Sequence, residues 1–395
     1  MAKTTIFSQI IKLIPRSHFE SLVHKHEGDK GIRTLNCWTW FGSLLFSQLT
    51  GHDSIRAIER GFCHANGELS KLGFDKVCKS TLSDANAKRP LAILEELFSF
   101  CVQSLKENNP KLSHGFSFQG KVLALDSTFI KLCLTLSPWA KYRMKPNRDD
   151  ISAGFKIHTA IDLAGDIPEF VVIKSGSEKE NNDLLVARQS FKFPRGSTLI
   201  FDRGYWKASY FNELNSQGIF FVTRLAKRTT FCVHKSHPKN RTQGIICDQE
   251  VYFRGRQTKN EYQGKLRRIS YREPDTGKKF IFITNRFDLP AQVICDLYKA
   301  RWRIELFFKC LKQNLKVKRF LGFSEHAVRA QIWTALIAYV LIQNIKLTLG
   351  SSISMPDALA VISTLLLLRL PLNVILADLP RTKAHSPPLQ LLLNF

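Results

Sequence analysis

The sequence predicts a mixed α/β protein whose β-rich middle is flanked by helical regions. In residues 1–112, apolar side chains recur at intervals of three and four, which is typical of amphipathic helices. From residue 121 onward, short apolar runs alternate with turn residues, which indicates strands. Residues 327–349 and 357–370 are apolar again over helical lengths. These three observations place a sheet in the middle of the chain and helices at both ends.

The composition favours a basic globular protein that binds nucleic acid. The 58 Lys and Arg residues outnumber the 33 Asp and Glu residues, which gives a formal net charge of +25. Such an excess favours a polyanionic partner, although a basic housekeeping or ribosome-associated protein would share it. No stretch reaches about 18 uninterrupted apolar residues, so we expect no membrane span. Nine cysteines without a C-x-x-C spacing indicate small buried side chains in a reducing cytoplasm.

The first predicted domain is helical and covers residues 1–115. Between its apolar helices lies a short polar and basic segment at residues 79–89. That segment could be the recognition helix of a helix-turn-helix-like arrangement that binds DNA, or an ordinary solvated helix. Residues 108–120 are rich in Pro, Gly, Asn and Ser, and they mark the boundary with the next domain.

The second predicted domain covers residues 116–325 and begins with the element order βββαβαβ. Strands are predicted at 121–132, 154–165, 167–176, 197–205 and 219–225, and helices at 183–191 and 207–218. This order, followed later by a long helix, resembles that of an RNase H-like (retroviral-integrase-like) fold. In such a fold the first strand is central and the fourth lies beside it. We therefore expect Asp126 and Asp202 to come together.

A basic β-rich insertion interrupts this order at residues 226–279. Short β-like pieces alternate there with Pro, Gly and Asn turns, and Lys and Arg are frequent. The insertion could be a surface that follows DNA phosphates, or a solvated edge hairpin whose charges prevent aggregation. Residues 279–285 form a further predicted strand, and a C-terminal helical region is expected at residues 326–395.

A helix predicted from residue 298 to residue 312 carries its polar side chains in one stripe. With 3.6 residues per turn the stripe is about 80° wide, and it contains Tyr298, Arg301, Glu305, Lys309 and Lys312. Apolar side chains form the adjacent face, so a single carboxylate would lie among cations beside a core. The alternative is a set of exposed charges that form i,i+4 pairs such as Glu305–Lys309.

Four of these positions resemble the Y-x-x-R-x-x-x-E-x-x-x-x-x-x-K signature of bacterial insertion-sequence transposases of the IS-four type. Its fixed residues are matched at the right spacing by Tyr298, Arg301, Glu305 and Lys312. The D-R-G-Y sequence that begins at Asp202 resembles the motif around the second Asp of that family. The likeness covers roughly residues 118–325. The long separation between Asp202 and Glu305 matches the transposases of this group that carry a β insertion between the second Asp and the Glu.

The resemblance implies a DDE triad, formed by Asp126, Asp202 and Glu305, that holds two Mg²⁺ ions, for which Mn²⁺ could substitute. Such ions suit the cleavage and transfer of phosphodiester bonds, because they assist both the attacking and the leaving oxygen. An ionised Asp126 within an apolar strand would be costly unless it were paired or bound to metal. A carboxylate that only caps or pairs at a strand end is the alternative.

The remaining signature residues are expected to contact DNA. Arg301, Lys309 and Lys312 suit phosphate contacts, since Arg binds a phosphate in bidentate fashion and Lys acts as a point charge. Tyr298 could bond a phosphate or pack against a sugar. Arg203, which follows Asp202, is expected in the same set.

Trp302, next to the stripe, has two possible roles. In family members that cut through a DNA hairpin, a Trp here resembles the surface on which a flipped base stacks. A half-buried Trp at the edge of the core is the alternative. Those members also use a second Trp from the insertion, and this insertion contains none. Tyr252, Phe253 or Tyr262 could substitute for it.

An acidic group formed by Glu178, Glu180 and Asp183 precedes a predicted helix. It could supply an auxiliary metal ligand. Capping of the helix N-terminus is the commoner use of acidic side chains at such a place.

Together these features predict a DDE transposase that cuts at the ends of an insertion element and joins the 3′-OH to target DNA. Its partner would be double-stranded DNA, and a homodimer would act in a bacterial cytoplasm, associated with the nucleoid. The C-terminal helices could supply the dimer interface or only pack a core. The alternatives are an RNase H-like nuclease or resolvase without strand transfer, and an inactive, domesticated DNA-binding protein.

Overall fold

A computed structural model describes residues 3–143, 151–176, 182–226, 229–238, 241–315, 317 and 320–377. In these residues the protein is a mixed α/β structure with one large sheet, as the sequence predicts. Two residues of the predicted acidic group, Glu178 and Glu180, lie outside the described residues. So do three cations of the basic insertion: Lys227, Arg228 and Lys239.

The N-terminal part is helical, as expected, and its helices begin where side chains cap them. Thr5, Asn36 and Ser54 each accept a hydrogen bond from a backbone N–H of the first turn that follows. Gly51 ends the third helix with a φ of 72°, a conformation that favours glycine. The helices are α1 (Ile6–Ile11), α2 (Arg16–Lys25), α3 (Cys37–Thr50), α4 (Ile55–His64), α5 (Asn66–Leu69), α6 (Lys79–Lys88) and α7 (Ala92–Asn108).

The sheet has ten strands in the described residues. They are β1 (Val122–Leu132), β2 (Lys141–Arg143), β3 (Ile151–Asp162), β4 (Ile167–Ser175), β5 (Thr198–Phe201), β6 (Phe220–Arg224), β7 (Phe231–Ser236), β8 (Ile245–Phe253), β9 (Leu266–Arg272) and β10 (Lys279–Thr284). Their order is β2-β3-β1-β5-β6-β10-β9-β8-β7, and β4 also pairs with β3. β1 is antiparallel to β3 and parallel to β5. The expectation that the fourth strand of the predicted order lies beside the first is confirmed.

The insertion does not form a separate hairpin, because its strands continue the same sheet. β10 pairs with β6 and with β9, so β7, β8 and β9 extend the sheet outward from β6. The insertion also contains a short helix, α10 (Arg256–Glu261), which the β-like pattern did not predict.

Each side chain of β1 points to one of two apolar layers, because successive residues of a strand face opposite sides of a sheet. Leu123 and Leu125 pack in the layer that contains α8 (Asp183–Ser190) and α9 (Ala208–Ser216). Val122 and Ala124 pack in the layer that contains α11 (Ala291–Ala300) and α12 (Trp302–Gln313). Asp126 therefore faces α12, and Ser127 faces α8.

The helix predicted over residues 298–312 is in fact two helices, which meet at Arg301. The backbone N–H of Arg301 bonds to the Tyr298 carbonyl, and the N–H of Ile304 bonds to the Arg301 carbonyl. These i→i−3 bonds tighten the turn and end α11 before α12 begins. The apolar spacing continues across the junction, so the pattern could not reveal it.

The C-terminal part contains α13 (Glu325–Thr348), α14 (Met355–Leu365) and α15 (Leu372–Ile375). Among the described residues, α13 alone has the length and apolar character of a membrane span, and 89% of its apolar window is buried inside the protein. It packs against α3 and α7 of the N-terminal part in one continuous core. For α13, packing of the core is therefore the correct alternative.

Candidate active site

The three carboxylates singled out in the sequence line one cavity of about 660 Å³. Asp126 comes from β1, Asp202 follows β5, and Glu305 lies on α12. Because β1 and β5 are parallel neighbours, the two Asp residues meet despite their separation in sequence. The other lining residues are Ser127, Thr128, Arg203, Arg224, Tyr298, Arg301, Phe308, Lys309, Lys312 and Gln313.

Asp126 presents one carboxylate oxygen to the cavity. Its Oδ1 accepts a hydrogen bond of 2.8 Å from the backbone N–H of Ser127, while its Oδ2 lies 3.1 Å from Nη1 of Arg301. Burial raises the pKa of Asp126 to about 6, with further contributions from Asp202 and Glu305, although Arg301 opposes the rise. The carboxyl group therefore lies in a largely desolvated environment, beside one guanidinium and two other carboxylates.

Asp202 is held in a similar way by the turn that follows it. Its Oδ1 accepts a hydrogen bond of 2.7 Å from the backbone N–H of Gly204. A Cβ atom at Gly204 would lie only 2.9 Å from that oxygen, so another residue there would displace the Asp202 carboxylate from this position. This close approach explains the glycine in the D-R-G-Y sequence.

Arg301 bridges the carboxylates of Asp126 and Glu305. Its Nη2 lies 2.5 Å from Oε1 of Glu305, and its Nη1 bonds to Asp126. Burial raises the pKa of Glu305, and the charge of Arg301 opposes that rise. Arg301 was predicted to contact a DNA phosphate; in this structure its guanidinium instead bridges two members of the predicted triad.

Most of the predicted DNA contacts also line the cavity. Lys309 is exposed, and Lys312 is half-buried one turn further along α12. Tyr298 is buried, with its ring 4.8 Å from that of Phe282. Arg203 is exposed, and its Nε donates to the carbonyl of Leu225. The cavity wall is thus cationic on the side of α12 and at the turn after Asp202.

Arg224 is a cavity residue that the sequence reasoning missed. It ends β6, which is parallel to β5, so its position corresponds to the strand end that Asp202 follows. Its guanidinium lies over the Phe280 ring at 5.4 Å. The position of Arg224 at the end of a predicted strand could have indicated this role, because ligand-binding side chains gather at the carboxyl ends of neighbouring parallel strands.

Trp302 does not line the cavity. Its side chain is half-buried, and its Nε1 is enclosed without a hydrogen-bond partner among the described residues. This position favours the core-edge alternative over base stacking. Of the possible substitutes in the insertion, Phe253 and Tyr262 are core residues with 2% exposure, and only Tyr252 is accessible.

Asp183 neither caps α8 nor lines the cavity. The cap is Asn182, whose side chain accepts hydrogen bonds from the backbone N–H groups of Leu184 and Leu185. Asp183, in the first turn, instead pairs with Lys156 at 2.9 Å and with His158 at 3.0 Å. The capping prediction is therefore wrong for Asp183, because the preceding residue already satisfies the helix terminus.

The carboxylates fit a divalent metal ion in their chemistry but are not arranged around one. Oxygen ligands of this kind are the ones that Mg²⁺ and Mn²⁺ prefer. Among the described residues, however, no three His, Cys, Asp or Glu side chains are grouped closely enough to hold a metal ion. The Arg301 guanidinium supplies the positive charge between Asp126 and Glu305 instead.

Comparison with known proteins identifies the family. Residues 117–341, more than half of the chain, match the profile described as a transposase DDE domain. The chain belongs to the transposase DDE domain family. Residues 2–75 of the transposase match a domain of unknown function, DUF4372.

Relatives named as insertion-sequence transposases agree with this assignment. A protein of Sinorhizobium fredii named as transposase y4zB is 30% identical over 267 residues, which cover 66% of this chain and 70% of that protein. A protein of Geobacillus stearothermophilus, named as a transposase for insertion sequence element IS5377, is 26% identical over 288 residues, 72% of this chain and 71% of its own. The predicted function, DNA transposition by a DDE enzyme of the insertion-sequence type, is confirmed.

One solved structure aligns along most of the transposase. It is a cryo-EM structure of a piggyBac transposase synaptic complex with hairpin DNA, and the alignment covers 98% of this chain and 88% of that chain. The identity is 11% and the TM-score is 0.45, which is too low to support an inference.

Proposed function

We propose that the transposase cleaves phosphodiester bonds at the ends of its mobile element and joins the 3′-OH to target DNA. In this proposal Asp126, Asp202 and Glu305 bind two divalent metal ions, Mg²⁺ or, as a substitute, Mn²⁺. The observation that carries the proposal is the meeting of these three carboxylates in one cavity with a cationic wall.

We further propose that the catalytic part, residues 116–325, has an RNase H-like fold. Support comes from five strands in the order β4-β3-β1-β5-β6, in which β3 is antiparallel to β1 while β5 and β6 are parallel to it and to each other. The residues 226–279 would be an insertion into that fold. Residues 1–115 would form a DNA-binding domain, and residues 326–395 a C-terminal helical region.

Before the reaction, the carboxylates would bind and orient the metal ions. Asp126 and Asp202 each have one oxygen fixed by a backbone N–H, and the other oxygen would act as the metal ligand. For Asp126, that oxygen would first have to leave the Arg301 guanidinium. When bound, the two ions would activate the attacking oxygen and stabilise the charge on the leaving oxygen. Glu305 would have to exchange the Arg301 guanidinium for a metal ion.

The cationic wall would hold the DNA backbone next to the carboxylates. Lys309, Lys312, Arg203 and Arg224 surround the cavity from three elements and suit contacts with phosphates. Arg301, once released by the metal ions, would reach a phosphate as well. The formal net charge of +25 would add sequence-independent attraction to double-stranded DNA, both terminal inverted repeats and target.

The transposase would act as a homodimer in the bacterial cytoplasm, associated with the nucleoid, because transposition must bring two element ends together. The test uses the full chain, DNA with the terminal repeats that flank its coding region, and a plasmid target. We expect joined products that require Mg²⁺. Cleavage without joining would instead favour a nuclease or resolvase, and binding without cleavage would indicate an inactive DNA-binding protein.

A further inference from the structure

We propose that Asp183 is a positioning residue that holds Asp126 and the Asp202 turn in place from the opposite face of the sheet. The proposal rests on the proposed function, since it assumes that these two Asp residues bind metal. Nothing in the family signature points to Asp183, and its contacts carry the inference.

Asp183 is the meeting point of donors from two strands. Its Oδ2 lies 2.9 Å from Nζ of Lys156, and its Oδ1 lies 3.0 Å from Nδ1 of His158, both on β3. The Ser127 side chain, on β1, is also near enough to Asp183 to lower its pKa. Ser127 pairs directly with His158 in the β1–β3 register, so both side chains point to the face where α8 begins.

Ser127 connects Asp183 to the proposed metal site through one peptide unit. Its side chain points to the face of the sheet where Asp183 lies, while its backbone N–H donates to Oδ1 of Asp126 on the other face. A Ser127 hydroxyl held by Asp183 would fix the peptide that orients Asp126. A rotation of this peptide would turn Oδ2 of Asp126 away from the cavity, and metal sites tolerate little such error.

Asp183 also adjoins the turn that carries the second Asp. A Cβ atom at Gly204 would lie 3.9 Å from Oδ2 of Asp183 and 2.9 Å from Oδ1 of Asp202. The buried Tyr205 lies in the same turn, and burial, followed by the charge of Asp183, raises the pKa of its hydroxyl. One carboxylate thus borders both segments that supply an Asp to the cavity.

The chemistry of the position requires a carboxylate rather than its amide. Lys156, Ser127 and His158 all present donors, and an ionised Asp can accept from all of them through two oxygens. An Asn at position 183 would direct its NH₂ group against at least one donor. Its pairing with Lys156 and His158 and its absence from the cavity wall distinguish Asp183 from a fourth metal ligand.

The test measures binding of Mn²⁺ alone to the full chain by electron paramagnetic resonance, together with the Mg²⁺ dependence of cleavage. We expect Asp183→Asn and Ser127→Ala each to raise the dissociation constant for Mn²⁺ by about tenfold, as outer-shell changes at metal sites do. Ser127→Thr, which keeps the hydroxyl, should restore most of the affinity. Ser127→Ala removes little volume, so the test does not depend on the folding of Asp183→Asn.

Glu169→Gln is the matched control. Glu169 is likewise a carboxylate with two nitrogen partners, 2.5 Å from Lys121 and 3.0 Å from Lys106, but it lies on β4 away from the cavity. The Glu169→Gln variant should keep the dissociation constant for Mn²⁺ within about twofold of the wild-type value. Wild-type Mn²⁺ affinity in both Asp183→Asn and Ser127→Ala, with affinity lost in Asp126→Asn, would overturn the positioning role alone. Wild-type affinity in Asp126→Asn as well would overturn the proposed metal site and, with it, this inference.

Discussion

Arg301 donates a hydrogen bond of 3.1 Å to Asp126, from which it is separated by 175 residues of sequence. The same guanidinium contacts Glu305, so one cation compensates two members of the proposed triad. Its side chain is only 14% exposed, which makes the charges interact more strongly than they would in water. We interpret Arg301 as the counter-charge of the carboxylates when no metal ion is bound.

Arg301→Gln should therefore make the stability of the protein depend on divalent metal. Without metal, two carboxylates would lose their partner, at a cost on the order of 3 kcal/mol. Mg²⁺ should recover more stability in this variant than in wild type, because the ion replaces the missing positive charge. Urea unfolding with and without Mg²⁺ measures both effects.

Arg303→Gln is the control for that experiment. Arg303 follows Arg301 by two residues but pairs with Asp166 at 2.6 Å and does not line the cavity of the triad. Its loss should change stability without changing the response to Mg²⁺. An equal response of Arg301→Gln and wild type to Mg²⁺ would contradict the interpretation of Arg301.

Asp183 should contribute stability that disappears in acid. Burial raises its pKa, but contacts with His158, Ser127 and Lys156 outweigh burial and lower the pKa to about 2. Because the folded-state pKa lies below the unfolded-state value, this stability is present above about pH 4 and is lost as pH falls towards 2. The shift corresponds to about 2 kcal/mol.

The stability difference between wild type and Asp183→Asn should accordingly shrink as the pH falls. Urea unfolding of both proteins from about pH 6 down to about pH 3 measures it. A difference that stays constant over this range would show that the carboxylate charge of Asp183 contributes nothing.

Lys309 should contribute to DNA binding through charge alone. It is exposed at the cavity wall, so Lys309→Ala should weaken binding to all DNA sequences similarly and reduce the salt dependence by about one phosphate contact. Binding titrations at several salt concentrations measure the slope. Lys192→Ala, at an exposed lysine outside the cavity, is the control and should leave the slope unchanged; an unchanged slope for Lys309→Ala would remove it from the interface.

Trp302 should matter for stability rather than for contact with a base. Its half-buried ring and enclosed Nε1 predict that Trp302→Ala lowers the free energy of unfolding by about 2–3 kcal/mol, while Trp302→Phe retains part of it. The free energy of unfolding of both variants, and the DNA products of their cleavage reactions, should be compared with those of wild type. Wild-type stability of Trp302→Ala together with an altered pattern of DNA products would restore the base-stacking interpretation.

The sequence predicted best those features that depend on a single helix or strand, or on the order of the strands. Asp126 lies in an apolar strand and Asp202 follows another, and the order of the strands brings the two residues together. Glu305 lies on the predicted stripe, which faces β1. These placements depend on local periodicity and on chain order, and both can be recognised in a single sequence.

Features that depend on contacts between distant elements could not be predicted. The cluster around Asp183 assembles Ser127, Lys156 and His158 through the register of β1 and β3, which no spacing encodes. The break at Arg301 leaves the apolar period intact, so a continuous helix was the natural expectation. The bridge from Arg301 to Asp126 likewise arises only when α12 packs on the sheet.

The most direct test of metal binding by Asp126, Asp202 and Glu305 is a metal-rescue measurement on cysteine variants. In Asp126→Cys a thiolate replaces the carboxylate, and Mn²⁺ accepts such a ligand more readily than Mg²⁺ does. Cleavage of element-end DNA should be lost with Mg²⁺ and partly restored with Mn²⁺, while DNA binding persists. Wild-type cleavage by Asp126→Cys with Mg²⁺, or no restoration with Mn²⁺ in any of the three corresponding variants, would contradict the account.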